Sequence, residues 1–238
     1  MKHIVTTTLI SLISITAAYA GPKEDVKAAA AKLAAAPCYT WTATSEIPGG
    51  QFTPAPITGK CEKDGFAIVS QTREGNTSMA VLKGEKGVVK TDDGWKTAEE
   101  LRAAASGGGG GGGAFMRGAL LRNRPPAEEA GKIADKAKEL AVVDGAICGD
   151  LTEEGAKEQL AFGRGRPGGQ APEVKNAKGA VKYWVKDGVL TKMELKVSGT
   201  FSRNGEDRDM TRVTVYEIKD VGATKVEVPA EAKAKLGS

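Results

Sequence analysis

Between Tyr39 and Thr91 five short alternating or apolar runs follow one another: Tyr39 to Glu46, Thr58 to Lys63, Phe66 to Thr72, Thr77 to Lys83 and Gly87 to Thr91. Asp64-Gly65, Glu74-Gly75-Asn76 and Gly84 supply turn signals between them. This spacing leaves no room for crossover helices, so the runs have to pair as an antiparallel meander. The final third repeats the pattern. Val181, Tyr183 and Val185 alternate with Lys182 and Lys186, Asp187-Gly188 makes a tight turn, and Met193, Leu195 and Val197 alternate with Lys192, Glu194 and Lys196. Arg203 to Asp209 then turns the chain, Arg212 to Lys219 returns it, and Thr224 to Val228 reads as a last strand before Pro229.

Helical patterns lie around and between these two β regions. Pro22 to Ala36 is alanine-rich, with Pro22 in the first turn, Glu24 and Asp25 at the positive end, and Pro37 as a stop. Thr97 followed three residues later by Glu100 forms a capping box for a short helix through Ala105. After the glycine run Gly107 to Gly113, Ala114 to Arg122 reads as an apolar-basic helix. Pro125-Pro126 introduces another, in which Ala130, Ile133, Ala134, Ala137, Leu140 and Ala141 recur at helical spacing. A short strand at Gly145 to Cys148 and a Thr152-capped helix, Glu153 to Phe162, follow. The glycine run has no side chains to bury and much backbone entropy to lose, which predicts a flexible loop over 106–113.

Met1-Lys2-His3 is a basic start, Ile4 to Thr16 is mostly apolar, and Ala18-Tyr19-Ala20 places small residues at the cleavage-specifying positions. Residues 1–20 read as a secretory signal peptide cut before Gly21. The apolar stretch is short of the roughly 20 residues that span a bilayer, so no transmembrane segment is expected after cleavage. No cysteine follows the cut, which argues against a lipoprotein anchor. The expected location is periplasmic or secreted. The one histidine of the chain, His3, lies in this leader. Its removal excludes Ser/His/Asp and Cys/His catalysis, His-ligated zinc and imidazole pH switching, all of which need that ring.

Outside the cytosol the three cysteines, Cys38, Cys61 and Cys148, raise the question of pairing. If the chain doubles back at Gly49-Gly50 with equal arms, Cys38 falls opposite Cys61, where facing Cβ atoms are about 4.5 to 5.5 Å apart. A Cys38–Cys61 disulfide there would stabilise by roughly 3 kcal/mol. Cys148 is then left as a buried small apolar residue, without the clustered cation that would activate it as a nucleophile.

Other motifs carry little chemistry. Gly163-Arg164-Gly165-Arg166-Pro167-Gly168 satisfies GxGxxG but follows a helix and contains proline, unlike a dinucleotide site. The glycine run lacks the lysine and hydroxyl of a phosphate loop. Glu206, Asp207 and Asp209 do not match calcium-loop spacing and read as a solvated turn. With 34 Lys and Arg against 30 Asp and Glu, the formal charge is +4, too small an excess for a dedicated nucleic-acid binder. No catalytic residue, metal ligand or cofactor is indicated. Asp144 and Asp150 are carboxylates, but spacing alone brings them to no common site.

The order of helix, meander, helical block and second meander resembles the LolA/LolB/LppX-like envelope proteins. The segments that carry this are Tyr183-Trp184-Val185-Lys186-Asp187-Gly188-Val189-Leu190-Thr191-Lys192-Met193-Glu194, Arg212 to Ile218, and Val226-Glu227-Val228-Pro229-Ala230-Glu231-Ala232. The resemblance is specific mainly over residues 178–235. It implies an α+β fold, with residues 21–238 forming one domain built as an open antiparallel β half-barrel and a helical insertion covering its concave face. The implied activity is non-enzymatic: a carrier or sensor holding a lipid-like or other hydrophobic ligand between sheet and helices. The candidate wall residues are Trp41, Phe66, Ile68, Trp184, Met193 and Leu195, with Met116 and Leu120 from the lid. The same residues also suit an ordinary core. The alternative is an extracytoplasmic interaction module that engages an envelope protein partner and has no ligand pocket.

Overall fold

The structure is a computed structural model, and it describes residues 21–50, 53–106, 118–161, 173–203 and 206–237. The expected leader 1–20, the glycine run 107–113, Met116 and the segment 163–168 lie outside the described residues.

Helix α1 (Pro22–Ala34) opens the chain with Pro22 in its first turn, acidic Glu24 and Asp25 at its N-terminal end and Lys32 at the other. The first meander is β1 (Cys38–Glu46), β2 (Ile57–Glu62), β3 (Phe66–Arg73), β4 (Asn76–Lys83), β5 (Lys86–Thr91) and β6 (Gly94–Thr97). Beyond the five expected runs, Asp92-Asp93-Gly94 makes one more hairpin turn into β6, with Gly94 at φ +100°. Helix α2 (Ala98–Ser106) starts from the capping box as read: the Glu100 N–H donates to Thr97 Oγ1 at 3.2 Å, and the Thr97 N–H to Glu100 Oε2 at 2.7 Å.

The proline-initiated helix α3 (Pro126–Asp135) stops six residues before the expected Ala141. Ala137 bridges Leu151, and β7 (Ala141–Val143) turns through Asp144-Gly145, both at positive φ, into β8 (Ala146–Asp150). Helical spacing of small residues was thus overridden by a hairpin that the turn geometry favours. Helix α4 (Glu153–Ala161) is capped by Thr152, whose Oγ1 accepts the Gly155 N–H at 3.0 Å. Three long strands follow, β9 (Glu173–Lys186), β10 (Val189–Arg203) and β11 (Glu206–Lys219). The expected strand Thr224 to Val228 is not one; it is an irregular lead into helix α5 (Ala230–Leu236), which follows Pro229.

All eleven strands form one open antiparallel sheet in the order β6-β5-β4-β3-β2-β1-β11-β10-β9-β8-β7. Register assigns the faces, because side chains alternate along a strand and partners share a side. Tyr39, Trp41 and Ala43 share the inner face with Cys61, Gly59 and Ile57 of β2 and with Ile218 and Tyr216 of β11. The row continues from Tyr216 through Met193 and Tyr183 to Ile147. On this side α1 buries Val26, Ala29, Ala30 and Leu33, α3 buries Ala130, Ile133 and Ala134, and α4 buries Ala156 and Leu160 in one continuous cluster. Burial of Val26 and Leu33 contributes about 1.5–3 kcal/mol each. Polar ties fix the helices: Lys27 pairs with Asp135, Lys23 Nζ donates to the Ala137 carbonyl at 2.9 Å, and Lys136 joins Glu154 and Glu158.

The outer face of β3–β6 has its own smaller cluster, Phe66, Val81, Val88 and Trp95 under Ala232 and Leu236 of α5. Lys233 pairs with Glu62 at 2.9 Å and Lys235 with Glu100 at 2.7 Å, tying α5 down.

The expected Cys38–Cys61 disulfide is corrected by register. Cys61 faces Tyr39, while Cys38 faces Glu62, so the two cysteines lie on opposite sides of the sheet. A one-residue difference from the equal-arm hairpin is enough, since side chains have period two. All three cysteines are free thiols. Alkylation after unfolding without reductant is expected to modify Cys38, Cys61 and Cys148 alike; an intact mass showing two of them blocked would contradict this register. A second consequence concerns Gly59, where a built Cβ would sit 2.0 Å from the Trp41 ring. Gly59→Ala should therefore lower stability by about 1–3 kcal/mol in urea unfolding, and an unchanged midpoint would show that Trp41 is not seated there.

Candidate functional site

The inner face brings together part of the predicted wall. Trp41, Leu120, Met193 and Leu195 are all buried in the cluster between sheet and helices. Trp41 lies 5.8 Å from Tyr39, centroid to centroid, and Met193 sits in the row between Tyr183 and Tyr216. Phe66, Ile68 and Trp184 do not join them. Ala67 and Val69 point inward, so Phe66 and Ile68 face outward, and Phe66 lies between Lys83 and Lys233 at 4.4 and 4.9 Å from its centroid. Tyr183 points inward, so Trp184 faces outward beneath Lys192, whose Nζ is 4.6 Å from the ring. Met116 lies outside the described residues.

Sequence reading missed a polar stripe on this face. Arg212, Thr214 and Tyr216 occupy alternate positions of β11, opposite Val197, Leu195 and Met193 respectively. Thr214 is buried, and its hydroxyl meets Ser45 Oγ at 3.1 Å. The Arg212 guanidinium donates through Nη2 to the Gln159 carbonyl of α4 at 2.6 Å. Tyr216 is half-buried. From the helix side comes Glu129, only 8% exposed, with the Gln159 side chain hydrogen-bonded to it. The Tyr183 hydroxyl donates to the Ala130 carbonyl of the same helix at 3.3 Å.

Burial dominates the electrostatics here. It raises the Glu129 carboxyl above its ordinary value, against the smaller opposing pull of Lys132 and Arg124. Burial also raises the hydroxyls of Tyr183 and Tyr216, and Glu129 adds to both. Arg124 and Lys132 are themselves engaged by Glu85, at 3.1 and 3.6 Å. Farther along the same face, Tyr39 lies beside Cys61, and burial pushes that thiol up to about 12.

A second feature is a shallow groove of about 420 Å³ on the outer side of β7–β9, lined by Glu139, Ala141, Cys148, Gly149, Asp150, Ala180, Val181 and Lys182. Cys148, expected to be buried, is half-exposed there and pairs across the strands with Lys182 and Ala141. Among the described residues no three His, Cys, Asp or Glu groups converge to hold a metal, and no helix is long and apolar enough to cross a membrane.

No family model matches the sequence, and no curated protein does. Solved structures do resemble the fold. The chain is similar to LprF from Mycobacterium bovis, with 10% identity and a TM-score of 0.42, over 89% of this chain and 97% of that one. It is also similar to a LolA superfamily protein from Nitrosomonas europaea, with 10% identity and a TM-score of 0.38, over 87% and 96%.

The raised Glu129 carboxyl makes a signed prediction. Its folded value lies above the unfolded one, near 4.5, so the native state holds the proton more tightly. The stability this gives is complete below the unfolded value and is lost as pH rises through the folded one. Glu129→Gln stays neutral throughout. Urea unfolding from about pH 4 to 8 should show wild type losing stability relative to Glu129→Gln as pH rises above the unfolded value; parallel profiles would place Glu129 in solvent.

Proposed function

We propose that the chain is an exported, non-enzymatic carrier or sensor that holds an amphiphilic, lipid-like ligand between the inner sheet face and helices α1, α3 and α4. The observation supporting this is the mixed character of a helix-covered face: apolar Trp41, Met193 and Leu195 run beside Arg212, Thr214, Tyr216 and Glu129. Sites for small apolar ligands combine a largely apolar wall with a few placed polar groups. A core selected for packing alone keeps such groups out, because each buried polar group costs free energy unless it is paired.

Helices suit the role of a cover. The inner surfaces of α1, α3 and α4 are rich in alanine, which buries little area per residue and so makes helix displacement less costly than a leucine-lined contact would. Trp184, Phe66 and Ile68 have no part in this site; they belong to the outer face.

The test is direct. Mass spectrometry of gently purified protein should reveal a bound acyl ligand, and the emptied protein should take up a neutral fluorescent probe, N-phenyl-1-naphthylamine. Met193→Trp, which enlarges a fully buried side chain at a stability cost of about 1–3 kcal/mol, should weaken probe uptake about tenfold while unfolding remains cooperative. Trp184→Ala on the outer face should leave uptake unchanged. A protein that carries nothing and takes up no probe is instead an interaction module.

A further inference from the structure

We propose that Glu129, Arg212 and Tyr216 form a headgroup site that selects a single-chain amphiphile ending in a carboxylate. The assignment rests on the carrier reading above and names the ligand class that reading leaves open.

β11 is a central strand, next to β1, yet the side it turns to the helices carries Arg212, Thr214 and Tyr216 in succession. Thr214 is satisfied by Ser45, and Arg212 is braced against α4 by its bond to the Gln159 carbonyl. Tyr216 shares its row with Met193 and Tyr183, whose hydroxyl bonds the Ala130 carbonyl next to Glu129, and both Glu129 and Arg212 act on the Tyr216 hydroxyl. Its neighbours in the row are Ala43 and Met193, so an acyl chain running along this face from the polar groups meets apolar side chains.

Charge chooses the ligand. The groups acting on Glu129 are Lys132 and Arg124, favouring its anion, and Glu128, opposing it; Gln159 is its neutral partner on α4, and Tyr183 and Tyr216 lie across on β9 and β11. Lys132 and Arg124 are held by Glu85 on the outside, and Asp135 acts on Tyr183, so the cation turned toward the strand floor is Arg212, which disfavours an ammonium headgroup. Burial favours the neutral form of the Glu129 carboxyl, which in that form donates an O–H as the Tyr216 hydroxyl does, and a carboxylate offers two oxygens to accept them beside Arg212. A phosphate dianion would bring a second charge into a half-buried site beside Glu129, at a greater desolvation cost. Binding of a carboxylate next to Glu129 further favours the protonated form of that side chain.

The experiment displaces N-phenyl-1-naphthylamine from the leader-free chain with myristate, methyl myristate and tetradecyltrimethylammonium, whose chains are alike and whose headgroups differ. Myristate should displace the probe at about tenfold lower concentration than the ester at neutral pH, and its advantage should shrink as pH rises. Tyr216→Phe should narrow the acid-to-ester ratio at least about threefold, within the range expected for loss of one hydrogen bond. Glu129→Gln should flatten the pH dependence. Lys192→Ala, on the outer face, should change none of these. Equal displacement by acid and ester, or preference for the ammonium, overturns the headgroup assignment while the carrier reading stands. No uptake of the probe and no displacement by any of the three overturns both.

Discussion

The pairing of β1 with β11 is the constraint on which the rest of the structure depends. It joins two antiparallel meanders that are each local in sequence into a single sheet of eleven strands, through seven residue pairs from Thr40 with Lys219 to Glu46 with Val213. Bringing such distant segments together costs loop-closure entropy before any contact repays it, so the seam needs strong side-chain burial of its own. Trp41 supplies much of it. The ring faces Ile218 across the seam, lies over Gly59 on the other side and touches Tyr39. Through this pair α1, which precedes β1 in sequence, is brought onto β9 and β10 of the second meander.

Much of the strand content was legible because alternation and turn chemistry agree locally. Asp187-Gly188 adopts the positive φ values that a tight reversal demands, and the strands beside it alternate apart from register shifts at Leu190/Lys192 and Ser198/Thr200. What the pattern could not assign was the side on which each residue falls when both are apolar. β3 carries Phe66, Ala67, Ile68 and Val69 in an unbroken run, and only pairing with β2 sends Ala67 and Val69 inward. The hairpin holding Cys38 and Cys61 makes the same point about register. The chain between β1 and β2 is long enough to close in more than one alignment, and the one it takes sets Tyr39, not Cys38, opposite Cys61. Helix α3 ended early for a related reason: Ala137, Leu140 and Ala141 have helical spacing, yet β8 offers backbone partners that a longer helix would leave unpaired.

The polar stripe was hidden by the very alternation that revealed the strands. In β11 the valines at 213 and 215 look like the core side, and Arg212, Thr214 and Tyr216 look like the solvated one. Tertiary pairing inverts that. Thr214 lies opposite Leu195 and Tyr216 opposite Met193, both of which point toward the helices. Glu129 was concealed in the same manner, since an acidic residue in the first turn of a helix reads as a favourable charge near the positive dipole end and usually stays wet. Its burial follows from where α3 lands, which no local pattern encodes.

An inner face of this composition sets a condition on anything that occupies it. Three polar groups of this face are already engaged internally: Thr214 with Ser45, Tyr183 with the Ala130 carbonyl, and Arg212 through Nη2 with the Gln159 carbonyl. Each of these bonds contributes a modest net amount, about 0.5–1.5 kcal/mol, but a buried donor left without a partner costs about 1–3 kcal/mol. A wholly apolar guest that shifts α3 or α4 strands such groups and gains only its own burial. A guest with a polar end can shift the helices by a similar amount and re-pair what it uncovers. Two of the three bonds end on the carbonyls of α3 and α4, so helix position and polar satisfaction are coupled. Selectivity at this face therefore comes less from the width of the apolar wall than from whether the guest can take over the bonds that hold the helices down.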